Sequence, residues 1–408
     1  ITDVGHLTAD GDQGVDKIEL GARREQTTAS QIIERYTKAF KEDLVSLGIA
    51  TDNILFPRAT QHIEEQVALI KTLEEKGYAY RITDGIYFDT AKFKNYGALG
   101  QIKLDGLEEG VRVEANPLKH GPYDFALWKF TKPNERRQQE WESPWGRGFP
   151  GWHIECSAMS MKYLGRHFDI HTGGIDHIPT HHNNEIAQSE SATGEPFVNY
   201  WLHHGWVHIS GEKISKSVGN TITLAELAKK GFSAFSYKYW ILTAHHRTPV
   251  NFTLEALEGA ETALFKLHRY VRERLGGEGG TPNKKYVADF RKFIEDDLDS
   301  PRAIALLWEM LKDPSIKEAD KKATIMEFDK VLDLGFHRPN EILNEMIFRK
   351  IPITEFPHRI QELVYERDAA RLKKDWGLAD KIREQLEKLG YEVKDSPEGT
   401  EVSESPRI

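Results

Sequence analysis

Apolar residues first fall into a helical period between Ala29 and Ile49, where Ile32, Ile33, Tyr36, Phe40, Leu44 and Leu47 share one face. The same spacing returns in RATQHIEEQVALIKTLEEKGYAY, and Gly77 there is a residue that ends a helix readily. GIYFDT then reads as a short strand. From 91 to 150 the periodicity dissolves into Gly, Pro and charge (GLEEGVRVEANPLKHGPYDFALWKF, WESPWGRGFPGW), which predicts an insertion or irregular subdomain. Two short apolar stretches, HFDIH and HGWVHI, bracket a polar helix, NNEIAQSESA. Strand, loop, helix and strand in that order point to an α/β sheet. At the start of the chain, ITD reads as one more strand.

Beyond Thr223 the pattern is mostly helical. Thr223-Leu-Ala-Glu226 has the spacing of a capping box, in which hydroxyl and carboxylate satisfy each other's helix-end amides. Residues 254 to 335 hold several amphipathic helices, interrupted by the loop GGEGGTPN. IPITEFPHRI reads as a linker, and ELVYERDAARLKKDWGLADKIREQLEKLG as a helical pair or hairpin. There is no internal repeat and no low-complexity tract.

Composition narrows the class. The chain has 408 residues, 39% apolar and 29% charged, enough for two or three domains of an ordinary globular protein. No apolar run approaches the roughly 20 residues a membrane helix needs. A single cysteine, Cys156, excludes an internal disulfide framework and suits a reducing cytoplasm. The net charge of −9 argues against whole-surface attraction to nucleic acid but leaves room for a local basic patch. The chain opens abruptly on Ile1 and not on Met, so a processed or partial product is expected.

Two clusters carry candidate chemistry. Cys156 in GWHIECSAM precedes His181 and Glu185 in PTHHNNE. With Thr180 as the helix cap, His181 and Glu185 stand at i and i+4 on one helical face. Thiolate, imidazole and carboxylate are all zinc ligands, although a lone cysteine is more often a buried hydrophobe and a His–Glu pair a solvated face. No fourth protein ligand is evident. The second cluster is GEKISKSVGN, where Lys213 and Lys216 stand among Ser215, Ser217 and two glycines, as a polyphosphate requires; a hairpin tip with solubilising lysines is the plainer alternative. Upstream, Gly173 and Gly174 would let a ligand approach the backbone, and Asp176 would accept from ribose hydroxyls.

The segments GWHIECSAM, FDIHTGGIDHIPTHHNNEIAQSESATG, YWLHHGWVHISGEKISKSVGN and KDWGLADKIREQLEKLGYEVKDSPEGT together resemble the cysteinyl-tRNA synthetases, a class I synthetase family. PRATQHIEEQVALI and DFALWKF extend the likeness over nearly the whole chain. The resemblance implies an α/β fold: a Rossmann-like class I catalytic domain, N-terminally incomplete, with an inserted subdomain, then an α-helical bundle and a small C-terminal anticodon-binding unit. Its expected divisions are 1–50 and 151–205 for the catalytic halves and 51–150 for the insertion. Residues 206–258 would carry the KISKS loop and stem contacts, 259–345 the bundle and 346–408 the anticodon unit.

The resemblance further implies that Cys156, His181 and Glu185 are three of four zinc ligands, the zinc taking the substrate cysteine through its thiolate. Such a site rejects serine better than an apolar pocket does. Trp152 and His171 would line the amino-acid pocket. Gly173, Gly174 and Asp176 would hold the adenylate. KISKS matches the signature KMSKS with Ile214 for Met. Lys213 and Lys216 would act on ATP, taken up with Mg2+, and Lys216 would stabilise the departing pyrophosphate. Arg371, Trp376, Asp380 and Asp395 match positions that read the tRNA anticodon.

Two family features are not in the chain: the HIGH signature and a fourth zinc ligand, a cysteine, both expected ahead of Ile1. GHLT at Gly5–Thr8 is not HIGH, because it follows the ITD strand. Because the other site residues are intact, an N-terminally truncated chain is the expectation. The implied activity is ATP-dependent activation of cysteine and its transfer to tRNA(Cys), in a cytoplasmic monomer. Cys156 is a ligand here, not a nucleophile. Two rivals remain: a cysteine ligase with an amino-sugar acceptor, as in mycothiol synthesis, and a non-catalytic tRNA-binding paralogue if the mature chain begins at Ile1. His177 and His182 are read as structural or solvated.

Overall fold

The computed structural model describes residues 1–9, 13–102, 116–132, 137–209, 211–213, 221–275, 279–347, 353, 356–396 and 399–404. These divide into two units, Ile1–Lys41 with Asp52–His204, and Glu42–Thr51 with Gly205–Ile408.

In the first unit, β1 (Leu7–Ala9) and β2 (Gln13–Asp16) form an antiparallel hairpin that feeds α1 (Lys17–Arg24). The Asp16 carboxylate caps α1 by accepting from the amides of Ile18 and Glu19. The expected ITD strand does not form. The Asp3 carboxylate instead accepts from the Thr60 amide at 2.9 Å and hydroxyl at 2.7 Å, which fastens the segment as a loop. Helix α2 (Ala29–Ser46), whose last residues from Glu42 belong to the second unit, follows the apolar period. Helix α3 (Ile63–Glu75) stops ahead of Gly77, whose φ of +78° few other residues adopt.

The region expected to be irregular contributes half a sheet. Strands β3 (Ala79–Ile82), β4 (Gly85–Phe88), β5 (Phe125–Phe130) and β6 (Gly148–Pro150) pair antiparallel in that order. β5 is buried on both faces, so it reads as an apolar run broken only by Lys129, without the alternation that marks a strand. Leu69, Ile70 and Leu73 of α3 pack with Ile86, Phe88, Leu127 and Trp128 of this sheet. The same core takes Ile154 from α4 (Trp152–Leu164) and Ala187 from α5 (Asn183–Thr193).

Between and after these helices run β7 (Phe168–Gly174) and β8 (Val198–His204), paired parallel from Phe168–Val198 to Gly174–His204. The crossover was expected to return at HGWVHI, but the partner strand is VNYWLHH. The reason lies at Gly205, where a Cβ would come within 3.0 Å of the backbone of Arg247–Pro249; the chain breaks there, and HGWVHI continues into the second unit.

In that unit β9 (Val207–Ile209) pairs antiparallel with β10 (Glu212–Lys213) and parallel with β11 (Val250–Phe252). Thr223 and Glu226 form the expected capping box at the head of α6 (Leu224–Lys229), and α7 (Ala234–Leu242) follows. Helices α8 (Leu254–Glu273), α9 (Lys284–Glu295), α10 (Ser300–Lys312), α11 (Glu318–Leu332) and α12 (Pro339–Ile347) share one core, built around Leu264, Leu267, Leu307, Phe328 and Ile342. The expected linker ends earlier than its sequence suggests, because α13 (His358–Leu372) takes its last three residues. Helix α14 (Trp376–Lys388) completes the helical pair. A hairpin of β12 (Tyr391–Ser396) and β13 (Gly399–Glu404) then follows, which the helical reading had not included. Among the described residues no helix is long and apolar enough to cross a membrane.

His268 of α8 sits fully buried in the bundle, its Nε2 3.1 Å from the Leu334 carbonyl. Burial pushes its pKa down to about 4. The unfolded chain therefore binds a proton that the folded chain refuses between that value and about 6.5. Stability should be full above that window and fall by about 2 kcal/mol from pH 7 to pH 5. Urea melts of the native chain and His268→Leu at both pH values check this; the variant should lose that part of the slope.

Candidate active site

Helix α4 begins at Trp152 directly after Gly151, where a Cβ would lie 2.0 Å from the Ala126 carbonyl oxygen. Glycine is thus required to bring α4 against β5. Cys156 follows Trp152 by one helical turn. From the end of β7 the chain passes through a short turn (Ile175–His177) and a widened helical turn (Ile178–His182) into α5. Thr180 lies inside the widened turn and makes no side-chain cap, contrary to the expected N-cap. His181 and Glu185 nevertheless face each other, Nε2 to Oε1 at 3.4 Å.

The donor atoms of Cys156, His181 and Glu185 lie within 4.8 Å of one another, and so do those of His171, His182 and Glu185. Glu185 is common to both sets, with its second oxygen 3.0 Å from His171 Nε2. Trp152 packs on His181 with ring centres 4.5 Å apart, and His171 packs on Trp201 at 4.9 Å. The sequence-derived ligands and pocket residues are therefore one cluster in space.

Several members of the cluster had no sequence signal. His153 Nδ1 lies 2.9 Å from His181 Nδ1, leaving His181 Nε2 directed at Glu185. His203 Nε2 lies 2.7 Å from His182 Nδ1. His6, from the GHLT segment, reaches the buried Glu155 at 3.0 Å. Only the adjacency of Trp152, His153 and Cys156 in one helix could have hinted at the first of these. His182, read as structural or solvated, is 1% exposed and so is not solvated.

The electrostatics suit a cation. Burial opposes charge on Glu185, but His181 and His171 outweigh it and hold the carboxyl below the usual range. Burial, reinforced by Glu185 and Glu155, pushes the Cys156 thiol well up in the absence of an ion. Burial drives His182 down to about 3 and also lowers His153 and His177, so these rings are neutral at pH 7 and retain lone pairs. Both Glu185 oxygens are buried without a hydrogen bond of good geometry. A soft thiolate, an imidazole and a carboxylate form a donor set that fits zinc.

The other predicted positions separate. A Cβ on Gly173 would meet His182 at 2.6 Å and His177 at 2.7 Å, so the neighbour that demands glycine there is the histidine cluster itself. Asp176 is exposed at the turn after β7. Lys213 belongs to β10 by its backbone, while its side chain and the whole of Lys216, with Ile214, Ser215 and Ser217, lie outside the described residues. In the C-terminal unit, Arg371 and Asp395 form an ion pair with each other. Trp376 opens α14 at 58% exposure, and Asp380 is exposed one turn later. Two further arginines meet Asp395 that the sequence did not single out, Arg367 at 2.7 Å and Arg383 at 3.3 Å.

Comparison with known proteins agrees with this arrangement. Residues 10–262 match the family described as tRNA synthetases class I (C) catalytic domain, and residues 354–402 match the cysteinyl-tRNA ligase anticodon binding domain. Cysteine–tRNA ligase 1 of Burkholderia lata is 45% identical over 98% of this chain and 82% of its own length. The cysteine–tRNA ligase of Thermococcus onnurineus is 39% identical over 94% of this chain and 83% of its own. The fold is shared with methionyl-tRNA synthetase of Mycobacterium tuberculosis in complex with methionyl-adenylate, at a TM-score of 0.52 and 15% identity, over 85% of each chain. The chain belongs to the cysteine–tRNA ligases, a family of class I aminoacyl-tRNA synthetases.

Proposed function

We propose that this chain activates L-cysteine with ATP and transfers the cysteinyl group to the terminal ribose of tRNA(Cys). The observation that carries the reading is the meeting of Cys156, His181 and Glu185 beside Trp152 and His171. Cys156, His181 and Glu185 would hold zinc, which when bound supplies a soft Lewis acid selective for the thiolate of cysteine over the hydroxyl of serine. The Trp152 ring and His171 then border the amino-acid side chain and exclude water. Gly173 and Gly174 end β7 and Asp176 stands on the turn after it, where a nucleotide could approach.

In the first step the cysteine carboxylate attacks the α-phosphate of ATP, forming cysteinyl-adenylate and releasing pyrophosphate. Lys213 and Lys216, acting with Mg2+, would stabilise the charge that develops on the leaving group. In the second step a ribose hydroxyl of the tRNA attacks the adenylate carbonyl and AMP departs. No covalent enzyme intermediate is required, so Cys156 acts as a ligand only. Arg371, Trp376, Asp380 and Asp395 would read the anticodon, with Trp376 as the stacking surface.

The domain roles follow: 1–50 and 151–205 build the activation site, 51–150 is inserted between them, 206–258 carries the KISKS loop and 259–345 is the bundle. Residues 346–408 contact the anticodon. The reading keeps the enzyme a cytoplasmic monomer.

Amino-acid-dependent ATP–pyrophosphate exchange tests this. Cysteine should support exchange and serine should not; a protein that exchanges with neither, or equally with both, contradicts it.

A further inference from the structure

The helical bundle carries a basic cavity lined by none of the residues assigned above. Lys266, Arg269 and Glu273 follow one another at helical spacing along α8, with Arg274 just past its end, and Trp308 and Lys312 stand on α10. Together they line a surface cavity of about 370 Å³. Its walls hold four cations against one carboxylate, in a chain whose net charge is −9. The carboxylate is already engaged, since Glu273 pairs with Arg272 at 2.7 Å and with Arg269 at 3.8 Å. Lys266, Arg274 and Lys312 have no ion-pair partner among the described residues.

Cations in the last turn of a helix complement its dipole, which accounts for Arg274 and Lys312. It does not account for Lys266 and Arg269, which precede the last turn of α8 yet line the same cavity. The cavity also has an aromatic wall. The Trp308 indole N–H donates to the Tyr239 hydroxyl at 3.0 Å, which fixes the ring. Cations around a fixed aromatic face suit a phosphate that comes with a ribose or base attached, more than a bare inorganic anion.

We propose that this cavity seats a backbone phosphate of the bound tRNA, with the adjoining nucleotide against Trp308. The proposal rests on the tRNA reading above and adds a contact to it. Phosphate contacts of this kind position an RNA without reading its sequence, so the site would contribute affinity and register and leave anticodon choice to the C-terminal unit.

The test is binding of a tRNA(Cys) transcript to the 408-residue chain and to a Lys266→Ala/Lys312→Ala double variant, across about 50–200 mM salt. Both lysines are exposed, so the variant should fold. We expect affinity to fall roughly 10-fold and the salt slope to lose about 1 to 2 in magnitude, at unchanged cysteine-dependent exchange. An unchanged slope with normal wild-type binding overturns this site alone. A wild-type chain that does not bind the transcript overturns the tRNA reading as well. Inorganic phosphate serves as a second probe: if the variant loses phosphate binding but keeps tRNA binding, the cavity takes a free anion and the proposal fails.

Discussion

Replacing Cys156 with alanine should empty the zinc site and lower cysteine-dependent ATP–pyrophosphate exchange by more than about 100-fold, since losing even a supporting partner of a metal ligand costs about 10- to 100-fold. Cys156 is the sole thiol in the chain, and its partners His181 and Glu185 alone offer the nitrogen–oxygen set that magnesium or manganese also accept. Discrimination against serine should fall together with rate, because the selectivity comes from sulfur on a soft ion and not from pocket size. The substitution is a mild one for the fold. Cys156 is only partly buried on a helix whose core contact is made by Ile154 and Ala158. Thermal melting should therefore stay close to wild type while zinc content and exchange collapse. Unchanged zinc and unchanged exchange would show that the thiol is a bystander.

The second large effect lies in the C-terminal unit. Arg367 is 1% exposed, and its guanidinium donates to Asp395 at 2.7 Å and to the Thr400 hydroxyl. Asp395 also meets Arg371 and Arg383, so one carboxylate bridges three arginines and fastens the β12–β13 hairpin to α13 and α14. Asp395→Ala would remove the ion-pair partner of the buried Arg367 and leave it only the field of Asp368 and Asp380. Breaking such a pair costs about 3 kcal/mol, the low end of the buried range because Asp395 is itself part-exposed. Residues 391–404 should lose amide protection, and KM for tRNA(Cys) should rise steeply while cysteine-dependent exchange stays unchanged. If protection and KM are both unaffected, Asp395 neither fastens the hairpin nor orders the arginines around it.

What could be read from the sequence divides along physical lines. Helices α3, α13 and α14 announce themselves because a half-buried helix writes its burial into a 3.6-residue period, whereas α2 keeps the period although Tyr36 and Phe40 on that face are exposed. Strand β5 does not, since a strand buried on both faces has no polar face to alternate with. The strand after α5 was placed at the apolar run HGWVHI, while the parallel pairing uses VNYWLHH, whose exposed Asn199 and Tyr200 disguise it.

In the site, Cys156, His181 and Glu185 were legible from donor chemistry and one i, i+4 spacing. His153 facing His181 and His6 facing Glu155 were not, because nothing local links positions that meet only through the packing of α4 against its neighbours. Arg371 and Asp395 entered only through resemblance, and the buried Arg367 that joins them carries no sequence mark at all.

Zinc-edge X-ray absorption on the purified protein, with and without cysteine, tests the central claim most directly. The account predicts bound zinc with at least one sulfur neighbour, and one sulfur more when cysteine is added but not when serine is. Zinc whose sulfur count is the same in all three samples, or a protein that binds no zinc, would contradict it.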